Sequence, residues 1–154
     1  MNRKDHGQRG RRDAGDANAV AADVRRPERY RDGDKLRPAL FDEEARAEAE
    51  RWRGIKSAQL RRFYGAVTAF VRKVEIDRGG RLSDTDAQVD MALLKASATY
   101  AAARSREHRP IRDYFEHHAK LVTGVESYRD FARHFEAVVA YHKAVESSGQ
   151  EREG

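Results

Sequence analysis

Apolar side chains between residues 56 and 74 repeat with the spacing of one buried helical face. They recur at i, i+3, i+4 and i+7, which is the period of an amphipathic α-helix. Ser57 is a residue type that commonly caps a helix N-terminus, and Gly79-Gly80 ends the segment. The pattern predicts a long helix whose core side chains are Leu60, Phe63, Tyr64, Val67, Phe70, Val71 and Val74.

Four further segments show the same helical period. One covers about residues 41–53, and the next begins at a Ser83–Asp86 capping box. Another begins at Pro110, which suits a first helical turn, and the last begins at Ser127. No segment alternates apolar and polar residues with period two, so strands are not expected. The sequence therefore predicts an all-α protein, a small five-helix bundle.

The predicted core faces of the last three helices follow from that period. The helix that begins near Ser83 is expected to bury Val89, Leu93, Ala96, Tyr100 and Ala103. The two that follow are expected to bury aromatic residues, with His118 and His142 as core histidines bonded to a neighbour. Their expected core sets are Ile111, Tyr114, Phe115, His118, Leu121 and Val122, then Tyr128, Phe131, Phe135, Val138, Val139 and His142.

Large apolar side chains are scarce in residues 1–37, where Gly, Asp and Arg recur. Such a composition cannot bury enough surface to offset chain entropy, so we expect a disordered basic N-terminal arm. Two roles stay open for this arm: contact with RNA, or a solvated tail. The helical domain is expected over residues 38–147, and a frayed C-terminal tail over residues 148–154.

Positive charge on the long helix lies on the side away from its apolar face. Four basic side chains fall there among Gly, Ala and Thr, and no acidic residue interrupts residues 57–74. An ordinary exposed helix mixes charge signs for pairing one turn apart, and small neighbours let a phosphate backbone come close. The surface predicts nucleic-acid binding, with a merely solvated face as the alternative. The four residues are Arg61, Arg62, Arg72 and Lys73.

A search for catalytic or metal-binding residues finds no pattern above chance. The chain has no cysteine, which excludes disulfides and thiolate metal sites. Arg112 and Arg129 precede histidines at spacings that some helical ribonucleases use, but a chain so rich in arginine produces such spacings by chance. The His-Glu-x-x-His spacing and phosphate-binding Gly-rich loops are absent from the sequence. We expect no catalytic site, no metal and no cofactor.

No apolar run in the sequence reaches the length of a membrane span, and no signal-peptide core follows Met1. The absence of cysteine fits a reducing compartment. A cytoplasmic protein is therefore expected.

Three sequence blocks resemble the small subunit of type III-A CRISPR effector (Csm) complexes. The similarity spans about residues 40–145, in the same order, and its Gln-Leu-Arg-x-Phe-Tyr portion is the most specific. The blocks are Ser57-Ala58-Gln59-Leu60-Arg61-Arg62-Phe63-Tyr64, then Leu93-Leu94-Lys95 with Tyr100-Ala101-Ala102-Ala103-Arg104, then Phe131-Ala132-Arg133-His134-Phe135-Glu136-Ala137-Val138-Val139-Ala140-Tyr141-His142-Lys143.

This resemblance implies a five-helix protein of antiviral defence that catalyses nothing itself. Its partners would be guide (CRISPR) RNA and target RNA, other copies of itself stacked along the complex, and the backbone and large palm-domain subunits. Target cleavage and signalling chemistry would belong to those other subunits. Carried over by motif, the RNA-facing residues are Lys56, Gln59, Arg61, Arg62 and Arg104. The basic row adds Arg72, and we extend the surface to Arg106 and Arg109.

A different function stays open on the residues alone, that of a stand-alone helical nucleic-acid-binding regulator or adaptor. A helix-turn-helix needs short helices joined by a turn of three or four residues. The linker over residues 77–82 and the long helices beside it fit that motif poorly. Co-purification with a guide-RNA complex would separate the two functions.

Overall fold

The computed structural model of the protein describes residues 24–77 and 79–153. Within these residues it contains five α-helices and one short antiparallel hairpin, which confirms the all-α, five-helix prediction. Two 3-10 turns, Pro38–Phe41 and Arg106–His108, precede the first and fourth helices. The hairpin pairs β1 (Arg31–Asp32) with β2 (Lys35–Leu36), and the helices are α1 (Glu43–Arg51), α2 (Ser57–Ile76), α3 (Asp84–Arg104), α4 (Arg109–Leu121) and α5 (Val125–Glu153).

Helix α5 holds the fold together, because α1 and α2 both pack along it, while α3 packs on α4. A cluster of buried rings joins these layers. Tyr114 lies edge-on to Trp52, with ring centroids 5.0 Å apart, and 6.0 Å from Phe131. Phe63 of α2 lies 5.4 Å from Phe115 of α4. Because aromatic side chains bury the most area per residue, this cluster forms a core in a chain that is rich in charge.

The predicted core faces of α2, α4 and α5 are confirmed at most positions. Tyr64 is an exception, since 40% of it is exposed at the edge of the α2 face. Val71, Val74 and Leu121 pack against the core but are only partly buried. The predicted core residues of these three segments that are buried are Leu60, Phe63, Val67, Phe70, Ile111, Tyr114, Phe115, His118, Val122, Tyr128, Phe131, Phe135, Val138, Val139 and His142.

The predicted core face of α3 is wrong. Val89, Leu93 and Tyr100 are 53%, 63% and 59% exposed, and Ala96 and Ala103 are exposed as well. The helix buries its opposite side, where small residues let it approach α4 closely: Ala87, Met91, Leu94, Ala98 and Ala102. Both sides of this helix are apolar, so periodicity alone cannot say which of them meets the core.

The expected arm over residues 1–37 needs a correction for its second half, while residues 1–23 lie outside the described residues. Residues 24–37 pack on the helices: Tyr30 is 5% exposed, and Arg31 Nε donates to Asp130 Oδ2 of α5 at 2.7 Å. Arg26 Nε likewise donates to the buried Glu48 of α1 at 2.7 Å. Specific ion pairs and one buried ring thus hold a segment whose composition resembles a disordered one.

Histidines of α4 and α5 also hold this N-terminal segment. His117 Nε2 lies 2.6 Å from the carbonyl oxygen of Pro27, and His118 Nδ1 lies 2.7 Å from the hydroxyl of Tyr30. His134 Nδ1 lies 2.6 Å from the carbonyl oxygen of Leu40. The prediction that His118 is a core histidine bonded to a neighbour is therefore confirmed.

His142 shows the same arrangement farther along α5. Its Nε2 lies 2.6 Å from the carbonyl oxygen of Ile55, in the turn between α1 and α2. The side chain is buried, so this prediction is confirmed too. The imidazoles of α4 and α5 thus contact backbone or hydroxyl groups of the first third of the described chain.

Two helix ends differ from the sequence prediction. Helix α5 begins at Val125, whose N–H donates to Asp84 Oδ1 of α3 at 2.9 Å, and the Ser127 hydroxyl accepts from the N–H of Thr123 at 2.9 Å. The same helix continues to Glu153, beyond the expected end of the domain at residue 147. In the described residues, no helix is long and apolar enough to cross a membrane.

Candidate nucleic-acid interface

The side of α2 that faces away from the core carries basic side chains around small ones. At about 100° per residue, Arg61 and Arg72 lie on one edge of this surface, and Arg62 and Lys73 lie on the other. All four are exposed. We call this surface the α2 outer face; its middle row is Ala58, Gly65 and Ala69, and its basic edges are Arg61, Arg72, Arg62 and Lys73.

The three arginines of the α2 outer face form no ion pair in the described part of the chain. Helix α1 and the turn after it provide the contrast. There Arg46 pairs with Asp42 at 3.1 Å, and Arg53 pairs with Glu50 at 2.8 Å. Charges that already have partners gain little from an external anion, whereas the α2 guanidinium groups keep all of their donors for one.

Gly65 lies in the middle of the α2 outer face, and the fold itself does not require it. A Cβ built at this position meets no atom within 4 Å, and its backbone is ordinary helix. Glycine in the interior of a helix costs about 1 kcal/mol relative to alanine. Since packing within the chain does not require a glycine here, we infer that Gly65 lets another molecule come close to the helix.

Lys56 and Gln59 occupy the N-terminal end of the same helix, and both are exposed. The Lys56 N–H donates to Gln59 Oε1 at 3.0 Å. The oxygen of Gln59 therefore has a structural role, and only its amide NH₂ remains for a ligand.

The sequence predicts that Ser57 caps α2, but the Ser57 side chain does not cap this helix. Instead Lys56 precedes the first turn, and the Ser57 N–H donates to Glu146 Oε2 of α5 at 2.9 Å. The Ser57 hydroxyl donates to the same oxygen. These bonds hold the pKa of Glu146 below its usual range, because they stabilise the carboxylate. Helix α5 thus fixes the start of the basic helix, which no local sequence signal could reveal.

Arg104, Arg106 and Arg109 lie together at a second place, the turn that joins α3 to α4. Arg104 ends α3, Arg106 lies in the 3-10 turn and Arg109 begins α4. All three are exposed, and the Arg104 guanidinium lies 5.7 Å from the ring centroid of Tyr100. The predicted residues therefore fall into two groups on different elements, one on α2 and one at this turn.

The histidines and carboxylates of the described residues were the other candidates for site chemistry. They contain no group of three or more His, Cys, Asp or Glu side chains able to hold a metal ion. Burial lowers the pKa of His118 well below its usual value and that of His134 to about 4. Both imidazoles are closed off from solvent and bonded to Tyr30 and to the carbonyl oxygen of Leu40, so both belong to the core.

Comparison with known protein families gives a match over most of the chain. A family model described as Csm2 Type III-A matches residues 35–148, which is most of the chain and includes all five helices except the last residues of α5. No curated protein and no solved structure matches the chain.

Proposed function

Because the chain belongs to the Csm2 family, the small subunit of type III-A CRISPR effector complexes, we propose that the α2 outer face binds the phosphate backbone of RNA in that complex. The observation that carries the proposal is the set of exposed arginines without acidic partners around a glycine that the fold does not need. Arginine and lysine contact phosphates without reading bases. Sequence readout in such a complex comes from pairing between guide and target.

The proposed assembly follows from family membership. Several copies stack along the guide RNA and target RNA beside the backbone subunits, with the large palm-domain subunit as a further partner. The protein itself acts without catalysis, cofactor or metal, and it works in the cytoplasm, where guide and target RNA meet. The family match over residues 35–148 favours this role over a stand-alone regulator or adaptor.

The proposed RNA contacts on α2 and those at the turn between α3 and α4 rest on different observations. Arg61, Arg62 and Arg72 are supported by their exposure and by the absence of acidic partners, while Lys56 and Gln59 flank them at the N-terminal end of α2. The second group, Arg104, Arg106 and Arg109, is proposed as an extension because three exposed arginines meet at one turn, where Glu107 is the one acidic residue.

Charge reversal at both Arg61 and Arg62 is expected to weaken association with RNA in the assembled complex while leaving the fold intact. Each phosphate contact contributes about 0.7–0.9 to the slope of log affinity against log salt, so the double reversal should flatten that slope by about one to two units. The loss should be the same for unrelated RNA sequences, since backbone contacts carry no base information. The measurement is a salt titration of complex binding to two target RNAs.

The matched control is reversal at Arg129 and Arg133, which are exposed on α5. Equal impairment by this control pair would place the RNA surface elsewhere. An unchanged salt slope for the α2 pair would make the α2 outer face a solvated surface.

Replacement of Gly65 by alanine is expected to change stability and RNA association in opposite directions. The new methyl group meets no atom of the chain, and alanine favours the helix by about 1 kcal/mol, so the free energy of unfolding should rise. RNA association should fall, because the methyl group occupies the middle of the α2 outer face. Gly65→Gln should show a larger loss of association. A gain in stability without any loss of association would contradict close approach of RNA at this residue.

A further inference from the structure

A groove lies between α2 and α5, next to the α2 outer face, and has a volume of about 260 Å³. The buried side chains of Val67 and Phe135 contribute to its lining. Sites for small ligands commonly combine such an apolar lining with a few polar groups. We call this space the α2–α5 groove; its lining includes Tyr64, Val67, Thr68 and Val71 of α2 and Ala132 and Phe135 of α5.

Tyr64 lies between the α2–α5 groove and the basic edge of α2. It follows Arg61 by three residues and precedes Thr68 by four, so the three side chains are neighbours on one side of the helix. Its ring stacks on that of Phe135, with centroids 6.4 Å apart, while 40% of the residue stays exposed. Phe135 thus supports the ring, and the exposed part remains accessible to another molecule.

An RNA strand bound along the α2 outer face passes this ring. Arg61 and Arg72 are about 17 Å apart along the helix axis, and Tyr64 lies at a height between them. A paired base has its two faces covered by the neighbouring pairs. An unpaired base can turn toward the protein and stack on an aromatic side chain.

Two residues that line the α2–α5 groove, Tyr64 and Thr68, have hydroxyl groups without a hydrogen-bond partner in the described part of the chain. Thr99 of α3 provides the contrast, since its hydroxyl donates to the carbonyl oxygen of Lys95 at 2.8 Å. A hydroxyl can both donate and accept, so it can bond to the edge of any base. Apolar lining beside such hydroxyls matches the faces and edges of a nucleobase.

The charges at the rim of the α2–α5 groove keep the phosphates on α2. On this rim two arginines, Arg129 and Arg133, are accompanied by two acids, Glu75 and Glu136. A polyanion is attracted more strongly to a surface of one sign than to a rim of both signs. The phosphates therefore belong to the α2 outer face, and reversal at Arg129 and Arg133 remains the control for that face.

We propose that the α2–α5 groove takes one unpaired nucleobase of the RNA bound along α2, stacked on Tyr64. This proposal rests on the proposed function, because the phosphates on α2 bring the base to the groove. Stacking tolerates every base, since each has a π face. The groove therefore selects for an unpaired nucleotide and not for a sequence.

Photo-cross-linking in the assembled complex tests the contact directly. Guide or target RNA carries 4-thiouridine at one position at a time, and the cross-linked tryptic peptide is identified by mass spectrometry. At particular positions the cross-link should map to residues 63–72, the tryptic peptide that contains Tyr64. Tyr64→Phe should keep this cross-link because it keeps the ring, and Tyr64→Leu should lose it.

Binding constants then separate stacking from charge. Tyr64→Leu should weaken RNA association of the complex about 5- to 150-fold, which corresponds to about 1–3 kcal/mol for one base–aromatic stack. The slope of log affinity against log salt should not change, because no phosphate contact is lost. Tyr64→Phe should retain most of the affinity. Leu93→Ala, at a residue of α3 that is 63% exposed, is the matched control and should bind as the unchanged protein does.

An unchanged affinity for Tyr64→Leu would overturn the proposal, as would cross-links that never reach residues 63–72. If Tyr64→Leu instead prevents incorporation into the complex and no RNA cross-link is found, the groove takes a side chain of another subunit and the proposal is wrong. Each of these results leaves the phosphate contacts of α2 intact. Those contacts fail separately, through an unchanged salt slope for the Arg61 and Arg62 reversal.

Discussion

A chain that begins at residue 38 is expected to lose its cooperative fold, whereas a chain that begins at residue 24 is expected to keep it. The shorter chain lacks the buried ring of Tyr30 and leaves the nearly inaccessible Asp130 without Arg31, while the buried Glu48 loses Arg26 and keeps its ion pair with Arg51. Removing a buried aromatic ring costs about 3–5 kcal/mol, and removing one partner of a buried ion pair costs a similar amount. The sum is comparable to the whole stability of a small domain, about 5–15 kcal/mol.

Thermal unfolding followed by circular dichroism at 222 nm measures this result. Tyr30→Phe separates the ring from its hydroxyl: it should cost about 1–3 kcal/mol, because His118 loses its hydrogen-bond partner in a dry environment. An unchanged midpoint for the chain that begins at residue 38 would mean that residues 24–37 contribute nothing to the fold.

Lowering the pH from 7 to 5 is expected to reduce the free energy of unfolding by about 2 kcal/mol through His134 alone. Burial lowers the pKa of this imidazole from its ordinary 6.5 to about 4 in the folded protein. In the unfolded chain His134 therefore binds a proton near pH 6.5, whereas in the folded protein it does so only near pH 4. The stability is fully present above pH 6.5 and is lost as the pH falls through this window.

His118 acts in the same direction, since burial also lowers its pKa well below the ordinary value. The partly buried Asp90 opposes both, because burial raises the pKa of its carboxyl group and favours protonation in the folded state. Chemical denaturation at pH 7 and pH 5 gives the two free energies. His134→Gln keeps a donor near the carbonyl oxygen of Leu40 but cannot titrate there, so it should remove about 2 kcal/mol of the difference. A variant with the same pH dependence as the unchanged protein would contradict the assignment to His134.

The sequence predicts which side of a helix is buried when the two sides differ in polarity. It cannot do so for α3, whose two sides are both apolar. On α2 no charged residue lies among the apolar ones of the core face, and Phe63 and Phe70 are buried as expected. On α3 the exposed side carries Val89, Leu93 and Tyr100, while the buried side carries Met91 and Leu94 among three alanines. The choice between them depends on how closely α4 approaches, which is a tertiary property.

Composition was a poor guide to the N-terminal segment for a similar reason. The average over residues 1–37 is polar, yet Tyr30 and three arginines find specific partners on the helices. Histidines on α4 and α5 complete those contacts. Long-range pairs of this kind leave no periodic pattern in either partner.

The α2 outer face could be predicted because it depends on local order alone: which side of one helix is apolar, and where acids are missing. Its exposure and its unpaired arginines agree with that prediction, and its RNA contacts stay a proposal. The link from Ser57 to Glu146 could not be predicted, because 89 residues separate its two ends.

The separation in sequence of these contacts sets an order of events during synthesis. The partner of Tyr30 lies 88 residues later in the chain, and that of Leu40 lies 94 residues later. Ser57 is bonded to Glu146, 89 residues later. Synthesis must therefore pass residue 146 before the N-terminal segment and the start of the basic helix have all of these contacts. Contacts between residues so far apart in sequence form late, and the apolar surface that they cover stays exposed meanwhile. A chain released before residue 146 would thus lack the bond that fixes the start of α2, the helix that carries the basic surface.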